Sequence, residues 1–230
     1  MNKNKRSIAF AFVLILQSLY ADSIPFRVFS VNSRLDDWVY FSNEKRVEIS
    51  VPSHRRSGIY KYEGEREIHF YSKKTKLFSE KIRPVVTASI PKNCKNPLIL
   101  FLSNETKTQF KVFVFNDGLD QLKIGSGRFV NLSDQALILV LGDSLDEKIK
   151  IDAYKDHFMY FDQKSVNVRI RMANVIDDKM NKAMDSRIFP LSTHRDLYFI
   201  YPVEGKRKGL VRLKILREHG LTAQRILSGG

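Results

Sequence analysis

Apolar and polar residues alternate along most of this chain with a period of two. FRVFSVN (26–32), DWVYFSN (37–43) and KRVEISV (45–51) come first, divided by polar breaks. IYKYEGEREIHFYS (59–72) reads as a hairpin turning at Glu63-Gly64-Glu65. VVTASI (85–90), PLILFLSN (97–104), FKVFVFN (110–116), RFVNL (128–132), ALILVLG (136–142) and KIKIDAY (148–154) follow. SVNVRIRMA (165–173), DLYFIYP (196–202) and GLVRLKIL (209–216) complete the series. Short β-branched and aromatic runs punctuated by turn residues predict an all-β fold, an antiparallel β-sandwich.

Three details refine that picture. PLILFL and ALILVL are almost continuously apolar, which predicts strands covered on both faces at the heart of the core. VNVRIRM and VRLKILR alternate cleanly, so their apolar members should face a core and their basic members water. The segment ANVIDDKMNKAMDSRIFPL (173–191) breaks the rhythm. Asp177 or Asp178 there can cap a helix carrying Met180 and Met184 on one face, which predicts one short helix or long loop near 177–186.

Punctuation is sparse. No Gly/Ser/Pro linker divides the chain, so residues 22–220 read as a single sandwich-type domain, with any subdivision falling near 84–97, among Pro84, Pro91 and Pro97. FRVFSVNSRLDDWVYF and FKVFVFNDGLDQLKI each place Asn-x-x-Leu-Asp after a strand, and read as two similar turns in preference to a duplicated β unit. Residues 221–230 read as a flexible tail.

The first residues change the setting. Lys3, Lys5 and Arg6 precede an apolar run from Ile8 to Leu16, the form of a secretory signal peptide over residues 1–21. Cleavage after Ala21 leaves a small residue at −1; cleavage after Ser23 places small residues at both −1 and −3. The run is shorter than a bilayer-spanning helix, and no second one appears, so no transmembrane span is expected after cleavage. The expected location is the periplasm, the outer envelope or the medium. Export permits disulfides, but Cys94 is the only cysteine and cannot bridge its own chain.

Charge points to the partner. The chain holds 39 Lys and Arg against 25 Asp and Glu, formally +14. A surface of that sign favours an anionic envelope polymer or an acidic glycan, and a protein partner is the other expectation. Sequence-specific nucleic-acid recognition is not expected, because no helix-turn-helix or zinc-finger pattern is present. The candidate anion-binding residues are Arg169 and Arg171 on one strand, Arg212, Lys214 and Arg217 on the last, and Lys206, Arg207 and Lys208 in the turn before it. If those strands are neighbours, these residues form one cationic stripe.

Catalytic signatures are weak. KIGSGRFVNLSD (123–134) has a glycine pair but neither the third glycine nor the helix that a dinucleotide site requires. Gly125 and Gly127 therefore read as turn residues using positive φ or close backbone approach, and Asn131 as a side chain that ties down a neighbouring turn. Asp36-Asp37, Asp177-Asp178 and Asp143 with Asp146 sit in turn-like contexts. The five histidines are scattered, and no metal, cofactor or catalytic residue is assigned. Trp38 with Tyr40, Tyr60 with Tyr62, and Tyr154 and Tyr160 are the aromatics that an exposed platform would use.

At 110–144 the order of features resembles a group of exported all-β proteins of Verrucomicrobia-like and Planctomycete-like bacteria. The matching positions are Ile124, Gly127, Phe129, Asn131, Leu132 and Ser133. Leu122-Lys123 and Asp146-Glu147 stand where that group has proline and Pro-Gly. The resemblance implies an all-β fold and export, with no activity attached. The expected function is a non-enzymatic envelope or secreted protein that binds an anionic or protein partner through a basic sheet face. The alternatives are a carbohydrate-binding or accessory module, and a hydrolase with a distant carboxylate pair.

Overall fold

The computed structural model describes residues 23–228 other than 77, 79–80, 105, 144–147, 162–166, 177–178 and 204–208, with residues 175–176 described by their backbone alone. The described residues form sixteen strands and one helix. The first eight strands are β1 (Ile24–Ser30), β2 (Leu35–Ser42), β3 (Lys45–Val51), β4 (Tyr60–Tyr62), β5 (Glu67–Ser72), β6 (Val86–Ser89), β7 (Pro97–Ser103) and β8 (Phe110–Asn116). The next eight are β9 (Ser126–Asn131), β10 (Leu137–Leu141), β11 (Lys148–Ile151), β12 (Asp156–Tyr160), β13 (Val168–Ile176), β14 (Lys179–Ile188), β15 (His194–Pro202) and β16 (Val211–His219). Helix α1 (Gly220–Leu227) closes the described chain.

The strands form four sheets of four, and the second pair of sheets repeats the first. The orders are β4-β1-β7-β8 and β3-β2-β5-β6, then β12-β9-β15-β16 and β11-β10-β13-β14. Adding eight to each strand number of the first pair gives the second. Register repeats too. β1 and β7 pair in parallel with Arg27 opposite Leu98, and β9 and β15 pair in parallel with Arg128 opposite Leu197. The all-β sandwich expectation therefore holds, in a doubled form. The sheets divide the chain between β8 and β9, not near 84–97, which lies between β5 and β7.

Three layers of apolar packing follow. Trp38, Tyr40, Phe70, Phe101 and Phe26 join the sheets of the first sandwich. Phe129, Leu139, Met172, Tyr198 and Ile200 join those of the second. Between them, Phe29, Leu98 and Leu100 of β1 and β7 meet Val130, Leu132, Leu197 and Phe199 of β9 and β15. The central strands of the two inner sheets, β1, β7, β9 and β15, are thus buried on both faces, which removes apolar area from water twice per strand.

This seam explains which apolar runs are continuous. Every residue of β7 is buried, as PLILFL predicted. ALILVL differs: β10 lies in an outer sheet, with Leu137 and Leu139 in the core and Ile138 on the open face. DLYFIYP is the second doubly buried run, and Asp196 to Ile200 are all buried. The mixed face of Arg128, Val130 and Leu132 is the seam face of β9.

Two expectations are corrected. Residues 179–186 belong to no helix: they lie on β14, which pairs antiparallel with β13, with Val175 opposite Met180 and Met172 opposite Met184. The methionines pair across strands instead of stacking along a helix. Asp177 and Asp178 lie outside the described residues. The expected tail contains α1, whose first N–H groups are capped because the His219 imidazole accepts from Leu221 N at 3.2 Å. Leu227 at its far end reaches Pro25 and Arg27 of the first sandwich. The similar stretches at 26–41 and 110–124 fall on β1–β2 and on β8 with its following turn, so they are not counterparts within the repeat.

Candidate functional site

The predicted cationic residues do not form one stripe. Arg169 and Arg171 lie on β13 of an outer sheet, and Arg212 and Lys214 lie on β16 of an inner sheet, on the face that borders the seam. β16 pairs with β15, not with β13. Arg217 is turned to Asp196, with contacts of 2.9 and 2.7 Å, and to the Phe189 carbonyl at 2.6 Å. Lys206, Arg207 and Lys208 lie outside the described residues.

Gly125 lies just before β9 and Gly127 within it. Gly125 has φ +79, where an L side chain is strained, and its N–H donates to His194 O at 2.7 Å. At Gly127 the demand is space: a Cβ would sit 2.6 Å from the Tyr198 ring and 2.7 Å from Phe161. Asn131 is fully buried and serves as the hub of its corner. Its Nδ2 donates to the carbonyls of Gln135, Ile151 and Asp152 at 2.7, 3.2 and 3.1 Å. Its Oδ1 accepts from Ser133 N and Oγ at 3.0 and 2.6 Å. It holds the β9–β10 turn against the end of β11.

Most candidate platform aromatics are core residues. Trp38 is buried edge-on to Phe101 and Phe110, with centroids 4.9 and 4.8 Å away. Tyr40 is buried and donates to Lys61 O at 2.9 Å, and burial pushes its phenol up to about 12. Tyr60 packs half-buried on Phe26, while Tyr154 and Tyr160 are exposed.

A buried ionic cluster at the seam is the largest feature that sequence reasoning missed. Arg27 donates to Asp117 and to Glu218, both at 2.6 Å. Arg56 forks onto both Asp117 oxygens at 2.7 and 3.0 Å. Arg195 is fully buried; it ion-pairs with Glu218 and donates to the Asp117 carbonyl at 2.7 Å. Burial raises the pKa of the Asp117 carboxyl, but the guanidinium groups of Arg56, Arg195 and Arg27 outweigh it and hold the group at about 2. Glu218 is lowered in the same way, against its burial, by Arg56, Arg27 and Arg195. The signal in sequence was a lone arginine inside an apolar strand, as in IPFRVFS, because a buried cation requires partners.

These two acids do come from distant parts of the chain, as a hydrolase pair would. They sit in a closed cluster of arginines, with pKa values displaced downward, where a general acid needs the opposite shift. The other displaced carboxyls, Asp36, Glu48 and Asp185, also move down. Among the described residues, no group of three or more His, Cys, Asp or Glu is placed to hold a metal ion. No described helix is long and apolar enough to cross a membrane.

One open site carries several sequence-predicted residues' neighbours. The solvent face of β11-β10-β13-β14 holds a groove of about 360 Å³. Ile138, Val140, Ala173, Met180 and Met184 form its apolar lining. Lys148, Arg171 and Lys182 stand around it, with one acid, Asp185. Asp185 is pinned by Arg169 at 2.9 Å and Lys182 at 3.1 Å, and these bonds hold its carboxyl well below the usual range. Arg171 is oriented by the carbonyls of Gly142 and Asp143 at 3.0 and 3.1 Å. Of the described residues of the predicted stripe, the structure brings Arg169 and Arg171 to this face and leaves Arg212, Lys214 and Arg217 on β16. Lys148 and Lys182 join them from strands that the sequence reading did not link.

Neither a protein-family model nor a curated protein matches this chain.

Proposed function

We propose that this chain is an exported, non-enzymatic binding protein whose second sandwich takes an acidic, partly apolar segment of a protein partner on the outer face of β11-β10-β13-β14. The observation that carries the reading is the groove of about 360 Å³, apolar in its lining and cationic around it. Apolar lining supplies affinity by removing area from water, and surrounding charge selects and steers the partner. Methionine side chains adapt to irregular apolar partners, and Met180 is exposed on this face. The apolar lining favours such a segment over an acidic glycan, whose surface is polar throughout.

The test uses a fluorescein-labelled peptide of alternating leucine and aspartate, a serine–aspartate peptide of equal charge, and heparin. Anisotropy should rise with the first peptide and fall as salt is added, because surface charge is screened. The Lys148→Glu/Lys182→Glu variant should bind it about tenfold more weakly, since each rim charge is worth up to about 1 kcal/mol. Met180→Asp should weaken it as well. Equal binding of the two peptides, or unchanged binding by the variants, overturns the reading. Retention on heparin with no response to the leucine–aspartate peptide assigns an acidic polymer instead.

A further inference from the structure

The first sandwich has its own groove at the corresponding place. On β2 and β5, Tyr40 lies opposite Phe70 in the first core, as Leu139 of β10 lies opposite Met172 of β13 in the second. Counting from these pairs, Phe41, His69 and Tyr71 hold the positions of Val140, Arg171 and Ala173. Each set lines a groove on its own outer sheet. The fold therefore presents the same concavity twice, with different chemistry.

In the first sandwich that chemistry is aromatic and acidic. The groove encloses about 200 Å³. The Phe41 ring lies 5.6 Å from Tyr71 and 5.7 Å from Phe78, edge to face with both, and His69 continues the wall beside Tyr71. Glu44 and Glu63 stand at its margin with Asn43. Asn43 donates to Glu63 Oε2 at 3.1 Å, and Glu63 N donates to Ser42 Oγ at 2.8 Å, so two turns are tied together there. Asn43 and Glu44 have φ of 49 and 63. They are the two central residues of the β2–β3 hairpin, whose tight turn takes positive φ at both positions and so fixes where Glu44 stands.

Two cations of the neighbouring segments, Arg46 and Lys73, are engaged with each other's surroundings and with Glu48. Arg46 donates to the carbonyls of Thr75 and Lys73 at 3.0 and 2.9 Å and pairs with Glu48 at 2.9 Å. Lys73 also pairs with Glu48, at 2.9 Å. Burial raises the Tyr62 phenol, and Glu65 and Glu67 add to the shift, so acidic residues are felt at the Tyr62 wall.

We propose that this groove binds an organic cation, an alkylated ammonium group, against the wall formed by the rings of Phe41, Tyr71 and Phe78 with the carboxylates of Glu44 and Glu63 facing its charge. Aromatic faces attract a cation through their quadrupole, and the carboxylates select charge over shape. A free small ammonium compound and a lysine side chain of a partner share this chemistry.

Calorimetric titration of the full chain tests the proposal with three probes: choline, its neutral carbon isostere 3,3-dimethylbutan-1-ol, and an acetylated and amidated Gly-Lys-Gly tripeptide. At least one of the two cations should bind about tenfold more tightly than the neutral isostere, the worth of a desolvated cation–aromatic contact. Binding by choline alone assigns a small ammonium ligand; binding by the tripeptide alone assigns a lysine side chain. Glu44→Gln/Glu63→Gln, at exposed positions, should weaken cation binding several-fold and leave the melting temperature within a few degrees. Phe41→Leu should weaken it further. Equal binding of choline and the isostere, no heat from either cation at millimolar concentration, or insensitivity to the glutamine pair overturns the proposal. The groove lies on the other sandwich from the cationic one, so these outcomes leave the acidic-segment reading standing or falling on its own test.

Discussion

Asp117 and Glu218 hold the same place in the two halves of the fold, and Arg27 joins them. Leu98 of β7 lies opposite Phe115, and Leu197 of β15 lies opposite Leu216. Two residues beyond each partner stands a buried acid. Arg27 reaches both at 2.6 Å. The repeat thus places two like charges near one axis, and Arg27, Arg56 and Arg195 make that arrangement stable. Glu218→Gln leaves these guanidinium groups facing one carboxylate. It should cost about 3–5 kcal/mol, the penalty for breaking a buried ion pair from one side. Urea unfolding measures it, and a cost near that of a surface pair would show that the cluster is hydrated.

The same cluster sets an acid limit. Both carboxyls titrate lower in the folded chain than their ordinary values of 3.8 and 4.5, Asp117 at about 2. An unfolded chain therefore binds more protons in that interval. The stabilisation is complete above about pH 4.5 and is lost as pH falls toward about 2. Unfolding free energy measured across this range should drop steeply for the wild type. A slope as steep in Asp117→Asn/Glu218→Gln would assign the acid limit to other groups.

The corner around Asn131 offers a sharper contrast between buried sites. Asn131→Ala removes the partner of the buried Ile151 carbonyl and Ser133 N–H, and loosens the part-buried Gln135 and Asp152 carbonyls. Unmet buried polar groups cost about 1–3 kcal/mol each before relaxation, so a loss above about 3 kcal/mol is expected. Asn131→Asp keeps the acceptor and removes the donor, and should fall between wild type and alanine. Thermal denaturation ranks the three.

The two glycines of that segment should fail for different reasons. Gly125→Ala forces an L side chain to φ +79 and should cost about 1–2 kcal/mol. Gly127→Ala drives a methyl into Tyr198, which is buried and stacked on Phe129 with centroids 4.5 Å apart. That ring has nowhere to go, and overpacking costs about 1–3 kcal/mol. Tyr198→Ala should relieve part of the Gly127→Ala penalty and none of the Gly125→Ala penalty. A double-mutant cycle reads the difference.

Local pattern carried the strands, since alternation and turn chemistry act within a few residues. It also carried the corner: both roles assigned to the glycine pair, and the tethering role of Asn131, follow from residue type in context. What it did not carry is long-range. PLILFL and ALILVL look alike, yet one lies in the seam and the other in an outer sheet, because only tertiary packing decides how many faces a strand buries. The repeat left topology and register but little shared sequence, so Asp117 and Glu218 could not be matched by eye. The pairing of β14 with β13 overrode a helical reading because Met172, Ala183 and Ile188 complete the second core. The groove drew Lys148 and Lys182 from strands distant in the chain, and residue spacing contains no such relation.

His194 and His219 supply the last test, at the base of α1. They are register partners on β15 and β16, with rings 4.9 Å apart at 87°. The His219 Nδ1 accepts from Leu221 N, and Thr193 O accepts from Gly220 N at 2.8 Å. Burial lowers the pKa of His194, and the neighbouring His219 and Arg217 lower it further, with Asp196 opposing them. The neutral ring is therefore the folded form, and its stabilisation is present above about pH 6.5 and lost as pH falls. Amide exchange of residues 221–227, corrected for intrinsic rates, should quicken as pH is lowered from about 7.5 to 5.5. His219→Asn keeps an N-cap and removes the ring that faces His194, so its helix should lose less protection over this interval. His194→Gln/His219→Asn should show no pH response in this interval. A response in the double variant equal to the wild type's would place the switch outside the pair.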